Sequence, residues 1–344
     1  MLWREEMAEQ SNSASKLSKI VPAESKDEFI IIERVFSDDD SNLSIGLANI
    51  HAIVPNIEAN KDKMARALEI FKAKKVNVAI FPEFCLSGYF WEDETECWRY
   101  MDKAVIENHT DWIGGTLIAM LDDTLKAVVF NNIRRGPERK YFNSTYILSE
   151  LHDYLDEGRM YDKLFLPPIE KIYTETGQDD LLELDTKYGR FGFTTCYDYL
   201  FSQLLLEYAK IDKVDAIVQI ASWRARARRD YPGMNVGTDT YYGDLWDMVM
   251  PAKSAINQVW TIACNAVGSH GITGAHFWGG SGIWTPSGMA LLQASRFNEE
   301  LLIVHNVDIL GQRESEKDDF NYRLDFTEIY RPIHGKRTFS RIAD

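Results

Sequence analysis

The sequence predicts a mixed α/β fold, and three stretches carry that expectation. The strand-like run Leu43-Ser-Ile-Gly-Leu-Ala-Asn-Ile-His51 is followed by Ile57, Met64, Leu68 and Phe71 at helical spacing, then by the apolar run Val76-Asn-Val-Ala-Ile-Phe81. The same order returns in Phe191-Gly-Phe-Thr-Thr195, a helix near residues 200–211, and Ala216-Ile-Val-Gln-Ile220. A third helical stretch, residues 243–259, precedes Trp260-Thr-Ile-Ala-Cys-Asn265.

Each element has a local reason. Pro55-Asn56 supplies a start signal for the first helix. Residues 76–81 lack polar alternation, as a strand buried on both faces requires, and Pro82-Glu83 closes them. Pro251 has no N–H to donate, so it is expected to kink or split the third helix.

Three segments are expected along the chain: an acidic extension over 1–43, a main unit over 44–325 and a tail over 326–344. The extension holds ten acids against five bases, with a Ser-rich stretch near Asn12-Ser13-Ala14-Ser15, and is expected to be partly mobile. Its one apolar patch, Phe29-Ile30-Ile31-Ile32, either adds a strand or packs on the surface. The remainder, with no repeat and no low-complexity linker, is near the upper size for a single core.

Composition narrows the function. The 344 residues include 45% hydrophobic and 12% aromatic side chains, enough for a large core. A formal net charge of −15 repels phosphate, so neither nucleic acid nor an anionic membrane is expected as a partner. No apolar run approaches the roughly 20 residues of a membrane span. Met1-Leu-Trp-Arg-Glu-Glu lacks a basic region followed by an apolar stretch, so no secretory signal is expected. Cys85, Cys97, Cys196 and Cys264 make no CxxC pair and no zinc pattern, which favours a reducing cytoplasm and no metal or other cofactor. Asn42-Leu-Ser and Asn143-Ser-Thr match the glycosylation triplet, and both are read as chance.

Three strand-end segments could carry chemistry. In Phe81-Pro-Glu-Phe-Cys-Leu-Ser-Gly-Tyr89, Glu83 stands where loops build sites in α/β folds; otherwise it is a surface or ion-paired acid. In Tyr161-Asp-Lys-Leu-Phe-Leu-Pro-Pro-Ile-Glu170, Lys163 has its stem covered, or it snorkels to solvent. In Gly192-Phe-Thr-Thr-Cys-Tyr-Asp198, Cys196 ends a strand and opens a helix. That geometry exposes the sulfur at a sharp turn beside a positive dipole end, which favours thiolate; otherwise the cysteine is a small buried hydrophobe. No histidine sits in a matching motif: His51, His109, His152, His270, His276, His305 and His334 are scattered. A buried carboxylate can then serve as base for the thiol. Gly279-Gly-Ser-Gly282 is a turn rather than a phosphate loop, since no Lys-Ser/Thr follows.

Taken together the segments resemble the nitrilase, or carbon–nitrogen hydrolase, superfamily, with Glu83, Lys163 and Cys196 in the family's order. Tyr141-Phe-Asn143, Ile220-Ala-Ser-Trp223, Trp246 with Ala255-Ile256-Asn257 and Asn265, and Phe277-Trp-Gly-Gly-Ser281 with Pro286-Ser-Gly288 extend the likeness over about residues 43–310. The resemblance implies a four-layer αββα sandwich that pairs into a homodimer or larger homo-oligomer. It implies Cys196 as nucleophile, Glu83 as general base, and Lys163 with the backbone N–H of Tyr197 as oxyanion donors. A second glutamate would be Glu170, favoured by its spacing from Lys163 and Gly177, or Glu175.

Tyr197-Asp198 after the cysteine looks like the amidase branches, whereas true nitrilases of the family usually show Trp-Glu there. Amide hydrolysis on a small linear substrate is therefore favoured over nitrile conversion, acyl transfer or carbamoyl-amide hydrolysis. A catalytically silent binding protein would need none of the three groups. Omega-amidase relatives often carry Arg-Phe-Pro-Glu next, and Tyr199-Leu-Phe-Ser stands here instead. Arg224, Arg226, Arg228 and Arg229 follow Trp223 at a strand end: either a fork for a substrate carboxylate, best placed at Arg224, or a solvated or subunit-interface stretch. Tyr89, Tyr197, Trp223 and Arg224 are the expected substrate contacts, and Phe90, Trp91 and Trp278 either join an aromatic lining or belong to the core. Cys85 and Cys264 are expected as structural thiols, and Cys97 in an irregular stretch.

Overall fold

Asn56 caps the first helix, as its place after Pro55 suggested: its side chain accepts from the Ala59 N–H at 3.1 Å. The structure is a computed structural model and describes residues 19–89, 94–149, 159–178, 181–317 and 320–330. The chain opens with β1 (Lys19–Lys26), β2 (Phe29–Val35) and β3 (Leu43–Asn49), then α1 (Ile57–Ala73), β4 (Val78–Ile80) and α2 (Glu94–Ala104). A long hairpin, β5 (Ala127–Arg135) and β6 (Tyr141–Ser149), leads to β7 (Met160–Asp162) and β8 (Thr174–Glu175). Next come β9 (Glu183–Thr186), β10 (Gly189–Thr195), a 3-10 turn over Cys196–Leu200, α3 (Ser202–Leu206) and β11 (Ala216–Ala221). The hairpin β12 (Arg229–Tyr231) and β13 (Val236–Thr238) precedes α4 (Tyr241–Asn257) and β14 (Trp260–Asn265). The chain continues through β15 (Val267–Ser269), β16 (His276–Trp278), β17 (Gly282–Trp284), β18 (Ala290–Gln293), β19 (Glu300–Val307), α5 (Ile309–Glu316) and α6 (Tyr322–Asp325).

One sheet runs β1-β2-β19-β3-β4-β5-β6-β7, with β8 on β6; the other runs β18-β17-β14-β11-β10-β9. The centres of both are parallel, β3-β4-β5 and β10-β11-β14. The sheets stack with helices outside, an αββα sandwich, and the side chains sort into three apolar layers. Alternation on β11 shows how: Val218 and Ile220 meet Ile45, Leu47 and Ile80 between the sheets, while Ile217 and Ala221 face the outer helical layer with Tyr208, Trp246 and Met250. On the far side, Met64, Ala67, Leu68 and Phe71 of α1 cover Ala48, Ala79, Phe81 and Ile303. Glycine permits the closest helix–sheet approaches. A Cβ on Gly46 would lie 2.6 Å from Phe71, and one on Gly192 would lie 2.6 Å from Tyr208.

Several expectations change. Residues 19–35, read as part of an extension, are built into the first sheet: β2 runs parallel to β19, and Phe29 and Ile31 are buried in the α1 layer. Alternate apolar residues beside an open sheet edge explain it, since the patch completes that layer. Residues 1–18 and 331–344 lie outside the described residues, as do Phe90, Trp91, His152 and His334. α4 runs unbroken through Pro251, so the proline does not split it. Cys97 stands on α2 rather than in an irregular stretch. Among the described residues no helix is long and apolar enough to cross a membrane.

Candidate active site

Four segments meet at the carboxyl ends of the central strands, where α/β sheets place their sites. Glu83 follows β4 through a turn in which Phe84 takes a left-handed backbone, φ +51°. Asn131 holds that turn by accepting from the Phe84 N–H at 2.9 Å. The turn is also tied to the other sheet: the Glu83 N–H donates to the Ala221 carbonyl at 3.3 Å, and the Ser222 hydroxyl donates to the Glu83 carbonyl at 2.6 Å.

Lys163 follows β7, its N–H donating to the Asn143 carbonyl at 2.9 Å. Cys196 follows β10 at φ +52°, a left-handed backbone that bends the chain sharply at the sulfur. Gln219 donates to the Cys196 carbonyl at 2.9 Å. Asp198 closes a capping box with Thr195, accepting its N–H at 3.1 Å. The same carboxylate accepts from the Phe165 N–H at 2.7 Å and the Tyr161 hydroxyl at 2.7 Å. It thereby binds the cysteine turn to the lysine loop. Burial pushes Asp198 up to about 6.

The side chains converge. Lys163 Nζ donates to Glu83 Oε1 at 2.8 Å and to Glu170 Oε1 at 2.7 Å, and all three residues are fully buried. Asn143 Nδ2 bridges the two acids, donating to Glu83 Oε1 at 2.7 Å and Glu170 Oε2 at 3.1 Å. The Ser222 N–H donates to Glu83 Oε2 at 2.7 Å, and the Tyr89 hydroxyl donates to Glu170 Oε1 at 2.6 Å. Glu83 stands near enough to Cys196 for its charge to act on the sulfur.

Burial works against the Lys163 ammonium, but Glu170 and Glu83 outweigh it and hold its pKa well above the usual lysine range. Burial raises Glu170, with Lys163 pulling it down and Glu83 pushing it up. Burial, then the Glu83 charge, push the Cys196 thiol well above the usual range, with Lys163 opposing. The resting sulfur is therefore a thiol, not the thiolate expected from a helix dipole. The helical turn at Cys196–Leu200 has five residues, and its field is outweighed by burial and a carboxylate.

The remaining expected residues divide. Glu175 stands apart, paired with Lys140 at 3.3 Å. Tyr89 is buried and serves Glu170 with its hydroxyl, and its carbonyl meets the His270 ring. Trp223 is packed on Trp246 with ring centroids 5.5 Å apart, and its indole N–H donates to the Tyr242 carbonyl at 2.7 Å. Both side chains are therefore held by neighbours of the site through their polar tips. Tyr197 is half-buried, edge-on to Phe201 at 5.1 Å. Arg224 is exposed, close enough for its charge to reach His270. Arg228 pairs with Asp230 at 2.9 Å, and Arg229 lies over the Tyr241 ring at 4.3 Å, so these two form a solvated stretch. Burial lowers His270, with its hydrogen bond to the Tyr89 carbonyl opposing and the charges of His51 and Arg224 adding to the fall. Cys85 and Cys264 are buried thiols. Asn143 also explains one motif match: fully buried, it serves the site rather than a glycan.

Sequence reasoning assigned no role to Asn131, Asn143, Asp198 or Ser222. Asn143 had a readable signal, an amide in the middle of an apolar strand, where a polar group must be hydrogen-bonded. The Ser222 contribution is a backbone N–H, which no residue type announces.

Residues 44–309 match the family model described as carbon–nitrogen hydrolase. The chain belongs to that family, and it is a hydrolase of carbon–nitrogen bonds other than peptide bonds. A probable nitrilase of Schizosaccharomyces pombe is 23% identical over 287 residues, 81% of this chain and 94% of that protein. The chloroplastic omega-amidase of Arabidopsis thaliana is 30% identical over 135 residues, 38% of this chain and 31% of that protein. Among solved structures, Saccharomyces cerevisiae Nit3, a member of branch 10 of the nitrilase superfamily, superposes with a TM-score of 0.64 at 19% identity. That match covers 84% of this chain and 97% of Nit3.

Proposed function

We propose that the protein hydrolyses a small linear amide through a thioester on Cys196. The carrying observation is the placement of Lys163 Nζ between two buried carboxylates, at 2.8 and 2.7 Å, with the charge of one of them, Glu83, acting on the Cys196 thiol. The thiol is protonated at rest, so attack needs a base at the sulfur, and Glu83 is the carboxylate whose charge acts most strongly on it. As the S–C bond forms, Glu83 takes the thiol proton and the carbonyl π pair moves to oxygen. Lys163 Nζ and the Tyr197 N–H receive that oxyanion. Protonated Glu83 then gives its proton to the amide nitrogen, the C–N bond breaks, and ammonia or an amine leaves. Water enters, Glu83 takes its proton, and the hydroxide adds to the thioester. Collapse returns the carboxylic acid, and the sulfur regains a proton from Glu83.

The supporting geometry is differential. Asn143, Lys163 and the Ser222 N–H fix the Glu83 carboxylate, which limits its freedom to turn away from the reacting groups. Glu170 holds the ammonium from the other side, which aims it without neutralising Glu83. Arg224, exposed two positions after Ser222, would favour an amide whose far end carries a carboxylate.

Intact-mass spectrometry with a panel of short amides tests the reading. An acyl adduct is expected on the wild type and none on Cys196→Ala, which should also lose turnover. Turnover at the wild-type rate by Cys196→Ala would remove the mechanism.

A further inference from the structure

The two sheets do not close against each other over their whole area. At the end of the sandwich where the parallel strands begin, opposite the ends that carry Glu83 and Cys196, a slot of about 310 Å³ lies between them. Its interior is formed by Ile45, Val129, Ile147, Phe191, Phe193 and Ile262, drawn from both sheets. Protein interiors are normally filled to crystal density, with few voids larger than a water molecule. A purely apolar void offers water no partners, and one of about 150 Å³ already takes a benzene-sized guest. This one is roughly twice that size and opens to the surface.

Its mouth differs in chemistry from its interior. Lys126, just before β5, and Lys187, in the β9–β10 turn, both stand on the rim and are exposed. The Lys187 ammonium lies 4.7 Å from the Tyr188 ring centroid. Neither lysine has an ion-pair partner among the described residues. On a chain of net charge −15, two unpaired ammonium groups beside an apolar opening mark a place for an anion with an apolar body. The shape narrows it further. Sheets stack about 10 Å apart, and the pairs Leu43/Ile45 and Phe191/Phe193 each span about 7 Å of strand, so the space suits an extended chain.

We propose that this slot binds a free medium-chain carboxylate, its chain between the sheets and its carboxylate at Lys126 and Lys187. Because the site is remote from Cys196, the proposal stands or falls apart from the amidase reading. The full-length protein is titrated with hexanoate, decanoate and decan-1-ol, read by calorimetry and by thermal melting. Decanoate is expected to bind with one-to-one stoichiometry and raise the melting temperature, more tightly than hexanoate or decanol. The double variant Lys126→Glu with Lys187→Glu should weaken decanoate about tenfold and leave decanol unchanged. Val218→Phe, which fills the slot, should abolish both, whereas Cys196→Ala should bind as the wild type does. Absence of saturable decanoate binding would overturn the proposal. So would binding indifferent to either the lysine reversal or the filled slot, or binding lost in Cys196→Ala.

Discussion

Replacing Glu170 by glutamine separates the aiming of Lys163 from its mere presence. The glutamine oxygen can still accept from Lys163 Nζ and the Tyr89 hydroxyl, which meet Oε1 at 2.7 and 2.6 Å. Its NH2 then occupies the Oε2 position, 3.1 Å from Asn143 Nδ2, donor against donor. Asn143 cannot turn to relieve this, because Nδ2 also donates to Glu83 at 2.7 Å and Oδ1 accepts from Asn131 at 2.8 Å. A buried donor left without an acceptor costs about 1–3 kcal/mol. The charge changes too: Lys163 keeps Glu83 as its one acidic partner and is drawn toward the base it should stand clear of. Loss of an oriented oxyanion donor lowers kcat by about 10²–10³. Glu170→Gln should therefore fall about a hundredfold in kcat, with KM changed far less, since the interaction matures in the transition state. Glu175→Gln, altering an acid that faces Lys140 at 3.3 Å, should stay within about twofold of the parent. Ammonia release measured across substrate concentration gives both constants, and melting curves report the folding cost. A Glu170→Gln enzyme with lowered melting temperature but parental kcat would show a purely structural glutamate and refute the reasoning.

Three further outcomes follow from the same geometry. Because burial and Glu83 raise the Cys196 thiol above its ordinary 9.0, alkylation by iodoacetamide should be slow at neutral pH and climb only in alkali. Glu83→Gln removes the like charge, so its alkylation profile should move to lower pH, and an unmoved profile would mean that Glu83 does not act on the sulfur. Asp198 titrates at about 6 when folded against 3.8 when free, so the native state binds its proton more tightly; stability should fall by about 3 kcal/mol as pH rises from about 4 through 6. Asp198→Asn should lack that part of the slope in melts across this range, although its NH2 facing the Thr195 N–H lowers stability throughout; an identical slope in the two proteins would contradict the assignment. Gly192→Ala places a methyl 2.6 Å from Tyr208, whose hydroxyl is pinned to the Phe193 carbonyl at 2.8 Å, and should lower stability by about 1–3 kcal/mol in urea titrations. An unchanged midpoint would mean that the helical layer can shift.

What could be read from the chain and what could not divide along a physical line. Strand interiors are legible because burial on both faces forces apolar runs: residues 76–81 and 216–220 declare themselves, and the sites follow their ends. Helix α1 is legible from Met64, Leu68 and Phe71, whose spacing is the face it buries. The reactive trio is legible because each member is a residue type that an apolar strand end otherwise excludes. The Phe29–Ile32 patch stayed open between an added strand and surface packing because Phe29 and Ile31 carry no hint of the strand they join; β2 pairs with β19, which lies some 270 residues further along the chain. Tyr89 and Trp223 show a related limit. Residue type tells that an aromatic needs cover and a hydrogen-bond acceptor, not which group supplies them. Here Glu170 and the Tyr242 carbonyl accept from the two polar tips. The ionisation of Cys196 shows the same limit more sharply. A cysteine at a strand–helix junction reads as a thiolate when the dipole alone is considered. Burial reverses this first, then the charge of Glu83, 113 positions earlier in the chain, and both act only after the two sheets close. The sulfur's protonation state is therefore a property of the assembled sandwich.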